Sequence, residues 1–351
     1  MCKKPEGGDL KNTQNIFRIF IWSALIGSLF LLTACKVNKS EEKQQQPAAS
    51  NSSNRVYKIT IAYFGPDPGA DLTMKGLMDG LSENGFTEGK NLEVKKTHAN
   101  GEIAGIPMML QSVDGQGMDM IVAMTTPVLT ASCNSVKKTP VVFMYVYDPI
   151  AAGAGKSMTD HLPNITGVGS FPPIEDTIDT IQKLVPNVKA IGTLYNSSEA
   201  NSRKVIEVGR EICKKRGIKL EEVTVTGTSE VYQAAQVVAS RNVQALWVTG
   251  DNTALMAFDG IGKVALSSRL PLVINDPEFV QKGAVAAVGI GWYKSGHATA
   301  KSAAMVLKGE NPKNIPFENV AQQQLVLNFD VAKQLGITFP ESMVQEAKKD
   351  Q

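Results

Sequence analysis

Short apolar runs alternate along this chain with longer stretches in which apolar residues recur every three to four positions. Runs of four to eight apolar residues, each followed by a helix-period segment, predict a parallel sheet covered by helices on both faces. The first half reads as strand 57–64, helix 70–84, strand 91–96, helix 103–115, strand 119–124, helix 127–136 and strand 140–146. The second half reads as strand 189–195, helix 199–216, strand 219–224, helix 229–240, strand 244–249, helix 252–267 and strand 271–275. The order is the same in both, displaced by about 125–130 residues, and a period of that size is one domain rather than one small repeat. The body is therefore expected to be two matched lobes, each with its own core.

The segments outside this duplication predict how the lobes are joined. NITGVGSF (164–171) is extended and precedes a helix at 173–184, while a strand and a long helix at 292–308 follow the second half. Further extended segments and a terminal helix complete the chain. We expect the helix at 292–308 to return to the first lobe and the terminal segment to the second. The chain would then cross near 164–170, 284–292 and 315–324, and three parallel crossings make a hinge that opens and closes without swivelling. The expected fold class is α/β, two doubly wound parallel-sheet lobes on a three-crossing hinge. Lobe 1 comprises 56–165 plus 288–317, and lobe 2 comprises 166–287 plus 318–351.

The N-terminus has a different pattern. Lys11 and Arg18 precede the apolar run IFIWSALIGSLFLLTA, about as long as a signal-peptide core, although a transmembrane anchor would have a similar look. The run closes on Leu32-Thr33-Ala34-Cys35, which resembles the bacterial lipobox. On that reading residues 1–34 are a signal peptide and Cys35 is the lipidated (palmitate-type acyl) first residue of the mature chain. Residues up to 55 (KVNKSEEKQQQPAASNSSNR) lack apolar periodicity and read as a flexible tether. An acylated cysteine and a tether place the body outside the bacterial membrane but close to it.

Charge and chemistry narrow the function. The net charge is +2, and no basic cluster with interleaved aromatics argues for nucleic acid. Cys133 and Cys213 fall in different lobes and are expected to be free thiols. No Cys/His spacing suggests a metal. His98, His161 and His297 lie in no nucleophile context, and GxSxG, P-loop and HExxH motifs are absent. No cofactor, metal or catalytic residue is expected.

In open α/β sheets ligands gather beyond the carboxyl ends of the strands. Here those ends repeat a capping residue followed by proline: Asp67-Pro68, Thr126-Pro127, Asp148-Pro149 and Asp276-Pro277. Such pairs start helices well, so each reads equally as a cap. Thr125 and Thr126 offer hydroxyls at a helix N-terminus, suited to a ligand carboxylate. Asn196-Ser197-Ser198 is a second donor set. Asp251 and Asp276 could accept from a ligand ammonium, and Asp148 adds a carboxylate from the first lobe. Phe64, Tyr147, Tyr195 and Trp292 lie near strand ends or crossings, where they either stack on a ring or pack as core.

These strings, taken in order, resemble a known family. From Lys58 to about Gly309, GLSENGFTEGKNLEV, MIVAMTTPVLTA, TPVVFMYVYDPIAAG, NITGVGS, LVPNVKAIGTLYNSSEANS, ALWVTGDNTAL and GWYKSGHATAKSAAMVLKGENP look like the ABC-transporter substrate-binding proteins typified by tryptophan/tyrosine-binding lipoproteins. The resemblance implies the type I periplasmic-binding-protein fold and delivery of a small solute to a permease driven by an ATPase. By motif, the family's ligand contacts fall on Thr125, Thr126 and Asp148, and on Tyr195, Asn196, Glu199, Asn201, Asp251, Asn252 and Asp276. Phe64 and Asp67 join them as candidates at the first strand end. The first loop, Gly65 to Asp71, and Gly291 depart from the family's pattern. The expected function is a lipid-anchored, extracytoplasmic, monomeric solute receptor for an amino-acid-like ligand, aromatic or branched. A sugar or nucleoside receptor of the same fold, a sensory lipoprotein, and an extracytoplasmic enzyme are the alternatives.

Overall fold

The computed structural model describes residues 55–320 and 323–349. The expected signal peptide, Cys35 and nearly all of the tether lie outside the described residues. The first lobe opens with β1 (Tyr57–Tyr63), α1 (Pro68–Glu83), β2 (Leu92–His98), α2 (Ile106–Val113), β3 (Met120–Met124), α3 (Thr126–Ser135), β4 (Val141–Val146) and β5 (Ile165–Gly169). After α4 (Ile174–Leu184) come β6 (Ala190–Asn196), α5 (Ala200–Lys215), β7 (Lys219–Val225), α6 (Val231–Ala239) and β8 (Ala245–Val248). Then follow α7 (Asn252–Met256), α8 (Phe258–Ser267), β9 (Leu272–Ile274) and β10 (Ala286–Ile290). The chain continues through α9 (Trp292–Leu307), β11 (Glu318–Asn319), β12 (Gln323–Leu327), α10 (Phe329–Leu335) and α11 (Glu341–Lys349).

The strands form two six-stranded sheets, ordered β11-β5-β4-β3-β1-β2 and β12-β10-β9-β8-β6-β7. The duplication is thus preserved in topology, strand for strand. All pairings are parallel except β10 with β12. Central strands β3, β4, β5 and β10 are buried at every position, which explains why they read as unbroken apolar runs. The charged strands β2 and β7 lie at the edges, where polar side chains discourage further pairing.

The crossings fall between β5 and α4, between β10 and α9, and between β11 and β12. The sheets change over after Gly169, Ile290 and Asn319, slightly beyond the expected 165, 287 and 317. The strands persist that far because Gly169 pairs with both Val146 and Asn319, and Ile290 with Gln323. Helix α4 packs on α5, β9 and β10, whereas α9 packs on α1, β4 and β5. Each sheet is therefore covered by a helix that follows the fifth strand, in chain order, of the other. One apolar cluster runs from Ile59 through Tyr145 and Trp292 to Trp247 and Met343, joining both lobes. Two others fill the remaining faces separately.

Two elements differ from expectation. The segment 252–267 is two helices, because Ala257 leaves the helical region (φ −119°, ψ 22°). The break turns Met256 toward Gly65 and Gly101 of the first lobe. The chain also carries α11, which follows Gly336 at φ 70° and a restart at Pro340. Cys133 is half-buried, Cys213 is buried, and both are free.

The return of α9 depends on close backbone approach. A Cβ on Gly76 would strike the Tyr293 carbonyl oxygen, and one on Gly296 would strike the Thr73 carbonyl oxygen. Gly296→Ala should therefore force α1 and α9 apart and cost about 1–3 kcal/mol. Urea denaturation is the check, and a variant with the wild-type midpoint would show that this helix contact has slack.

Candidate functional site

The parallel strands of both lobes end toward each other, and between them lies a cavity of about 10 Å³, barely what one water molecule needs. Thr126, Tyr145, Tyr147 and Trp292 line it from the first lobe and the crossing. Asn201, Gly250, Asn252, Leu255 and Asp276 line it from the second. Each side chain is placed by a strand end. Tyr145 and Tyr147 come from the end of β4, Gly250 and Asn252 from the loop after β8, and Asp276 from the turn after β9.

Aromatic packing shapes one wall. The Trp292 ring meets Tyr145 edge-on, with centroids 4.3 Å apart and planes at 78°. It lies nearly parallel to Tyr147, at 12° and 6.4 Å. Trp292 is 1% exposed, and its Nε1 donates to Asp276 Oδ1 at 3.0 Å. Tyr145 Oη donates to Asp276 Oδ2 at 2.9 Å and lies 3.1 Å from Asp67 Oδ1. Asp276 thus joins the second lobe to the first. Burial, with the nearby Asp67 charge, pushes its carboxyl up to about 7. Burial likewise pushes Asp67 up to about 6.

The first lobe stores strain here. Thr125 has φ 86° and Tyr145 has φ 58°, a region that β-branched and bulky residues rarely adopt. Such residues cost about 1–3 kcal/mol each and gather at ligand clamps and active sites. Tyr145 sits where the β4–β5 register slips between Phe143 and Val146. Polar atoms without a hydrogen-bond partner gather in the same place: Thr125 Oγ1, Asn201 Oδ1, Thr249 Oγ1 and Tyr147 Oη. The Tyr147 hydroxyl lies against Gly250, where a Cβ would collide with it, so the second lobe needs glycine at that position.

Of the residues singled out from sequence, the structure brings Thr126, Tyr147, Asn201, Asn252, Asp276 and Trp292 to the cavity. Thr125 sits beside them with its hydroxyl free. Asp67 reaches the group through Tyr145 and caps α1 through Ala70 N at 2.8 Å.

The other candidates hold the scaffold. Asp251 takes hydrogen bonds from Asn196 N (2.7 Å), Ser202 Oγ (2.6 Å) and Ala254 N (2.7 Å). Both of its oxygens are thereby occupied within the second lobe. Burial, then repulsion from Glu199, pushes its carboxyl up to about 7. Glu199 accepts the backbone N–H and side-chain donors of Asn252 and Thr253. Asn196 binds Thr253 and Ser198. Asp148 accepts Ile150 N and Ala151 N at its own turn. The Tyr195 hydroxyl points along the sheet to Glu222 at 3.0 Å, and Phe64 belongs to the first-lobe core.

Tyr145 was missed because it reads as the interior of an apolar strand. The one available signal was the spacing in MYVYDP (144–149), in which Tyr145 and Tyr147 lie two residues apart.

Comparison with known proteins places this geometry in context. A family model for "ABC transporter substrate binding protein" matches residues 58–351. A curated "Tyrosine-binding protein" of Clostridioides difficile (strain R20291) is 27% identical over 307 residues, covering 88% of each chain. An ABC domain from Streptococcus pneumonia, solved in complex with L-Trp, is 32% identical, with TM-score 0.80, covering 83% of this chain and 98% of that one. A Clostridium difficile substrate binding protein with adhesive properties, ligand-free and open, is 28% identical, with TM-score 0.62 and coverage of 82% and 97%.

Two outcomes follow from the buried carboxylates. Asp251→Ala should leave three donors unpaired and uncap α7, lowering stability by about 2–4 kcal/mol, as read by urea denaturation. A wild-type midpoint would return Asp251 to the ligand-facing set. The second outcome concerns pH. Asp67, Asp251 and Asp276 have folded pKa values above the ordinary aspartate value near 3.9, so the folded chain binds more protons across about pH 4–7. Their stabilising contribution is full below that window and is lost as pH rises through about 7. The ligand-free protein should unfold at lower urea at about pH 7.5 than at pH 5, and Asp276→Asn should shrink the difference.

Proposed function

This chain belongs to the ABC transporter substrate-binding protein family, and on that footing we propose that its cleft binds an aromatic amino acid and delivers it to an ABC permease. The observation that carries the ligand class is the pairing of an aromatic wall with a buried carboxylate. Asp276 faces the cavity, and the groups that most perturb it are Asp67 and Glu278, both acidic, and the neutral donors Trp292 and Tyr145. A ligand ammonium supplies the missing positive charge, and charge-assisted bonds are strong in a dry cleft. The ligand carboxylate goes to Thr125, Thr126 and the free N–H groups at the start of α3. Its ring lies among Tyr147, Trp292 and Leu255.

The relatives agree in kind, one being named for tyrosine and one having been solved with tryptophan. The similarity in shape is greater to the tryptophan complex than to the open, ligand-free protein, at TM-scores of 0.80 and 0.62. This supports reading the present arrangement as a closed clamp. The lobes must part to admit an amino acid, since the enclosed space is about 10 Å³. The wider reading is a monomeric receptor outside the cytoplasmic membrane, anchored through acylated Cys35 and its tether.

Thermal unfolding with L-tryptophan, L-tyrosine, L-leucine, a hexose and a nucleoside tests the ligand class. At about 100 times Kd, ligand adds about 2.7 kcal/mol, a shift of about 4 °C for a body of this size. No shift with any amino acid, or a shift with hexose or nucleoside alone, would overturn the amino-acid reading. Tyr147→Phe keeps the ring and removes the unpartnered hydroxyl. It should leave stability unchanged and weaken binding about threefold to tenfold.

A further inference from the structure

Tyr145 has one hydroxyl proton and two carboxylate neighbours. Its Oη lies 3.1 Å from Asp67 Oδ1, which caps α1 in the first lobe. It lies 2.9 Å from Asp276 Oδ2, which follows β9 in the second. A phenol donates one hydrogen bond and accepts others. With both carboxylates ionised, one of these contacts sets oxygen against oxygen with no hydrogen between them. One added proton completes the chain. The protonated carboxyl then donates to Oη, and Oη donates to the remaining carboxylate.

The surroundings offer no other remedy. Asp71 faces Asp67 from the next turn of α1, and Tyr63 of β1 faces both acids. Glu278 faces Asp276 from its own turn. Tyr147, with Asp251 behind it, faces Tyr145 from the end of β4, and Trp292 packs from α9. Gly69 of α1 lies against the Tyr145 hydroxyl, where a Cβ would sit 2.5 Å away. None of these residues is a lysine, arginine or histidine. His98 packs against Tyr63 and donates to neither carboxylate.

We propose that Tyr145 is a positioning residue that holds the cleft closed by joining Asp67 to Asp276 through one added proton, so that closure of the lobes takes up a proton from solvent. Opening carries Asp276 away from Tyr145, because they stand on different lobes. Both carboxyls then return toward water and release the proton. Burial raises both acids in the closed form, and the two titrate as one unit. The protonated pair carries one negative charge instead of two, which matches a single ligand ammonium. The inference rests on the cleft being the ligand site, and it adds a proton to the closing step.

The test has one arm with ligand and one without. Calorimetric titration with L-tryptophan and L-tyrosine, at about pH 6 to 8 and in two buffers of different ionisation enthalpy, counts protons. Wild type should take up close to one proton per ligand near pH 6, with affinity falling by up to about tenfold per pH unit until about pH 7 and levelling off above it. Asp67→Asn keeps Oδ1 as the helix cap and removes one of the two charges, so that Oη is free to donate to Asp276 without an added proton. It should lose the pH slope and bind more tightly than wild type at about pH 8. Tyr145→Phe should bind weakly at every pH, with no slope. A residue that merely fills space would lower affinity without changing the proton count. Buffer-independent enthalpy in wild type, or a wild-type slope in Asp67→Asn, overturns the proposal.

If neither amino acid binds, the ligand reading falls and small-angle scattering of the ligand-free protein decides this one. The radius of gyration should shrink from about pH 8 to 5.5 in wild type and stay small throughout in Asp67→Asn. A wild-type radius independent of pH overturns the proposal.

Discussion

Asp276 is a carboxyl group buried with no cation beside it among the described residues, and the junction between the sheets is arranged around that constraint. Taking a carboxylate out of water costs several kcal/mol unless donors replace the water. Its own turn supplies one weak donor, Glu278 N at 3.3 Å. The other two come from across the molecule: Tyr145 from the end of β4 and Trp292 from the start of α9. The indole therefore cannot turn without stranding the carboxylate, and its fixed plane is what Tyr145 and Tyr147 pack against. The crossing into α9 is held by the same bond. The helix it leads into lies so close to α1 that glycines are needed at the contact. Lobe pairing, hinge and aromatic wall share one electrostatic requirement.

The two lobes meet this junction with opposite economies. In the second lobe, carboxylates organise the loops and are saturated in doing so. Asp251 and Glu199 together gather Asn196, Ser202, Asn252, Thr253 and Ala254 into a single network. That leaves Asn201 and Asn252, neutral amides on a rigid base, to face the cavity. In the first lobe, Thr125 and Tyr145 sit at positive φ, and the Thr125 hydroxyl has no partner. Strain and unpaired polar atoms persist only where the surrounding packing enforces them. Here it is the fully buried β3 and β4 that do so.

The duplicated sheets, the three crossings and the return of the long helix to the first lobe were legible because apolar run length and spacing survive in sequence. The strand ends were legible as places. What each residue does there was not, because cap-and-proline spelling is the same for a loop-holding carboxylate and a ligand-facing one. Asp251 and Asp276 both follow β strands of the second lobe and both cap a turn. Each takes a donor from its own turn, and they differ in the other donors that fold onto them, which are 16 to 131 positions distant in the chain. Tyr145 was hidden by the reverse effect, since a strand-interior tyrosine signals core until a register slip turns it toward the cleft.

The charge balance is the ground on which the proposal prefers an amino acid to a sugar. A sugar offers Asp276 another neutral donor, worth about 0.5–1.5 kcal/mol net, and leaves the acidic surplus of Asp67, Asp276 and Glu278 uncompensated. An ammonium about 4 Å from a carboxylate is worth about 4 kcal/mol at the effective dielectric of a protein site. It also relieves repulsion that the fold already bears. The earlier division, with anion donors in the first lobe and cation acceptors in the second, therefore needs one change. On the proposed reading Asp251 leaves the acceptor side and Asp67 of the first lobe joins it through Tyr145, so the positive end of the ligand would be held by both lobes. A group gripped from both sides rewards closure, whereas one gripped from a single side rewards binding alone.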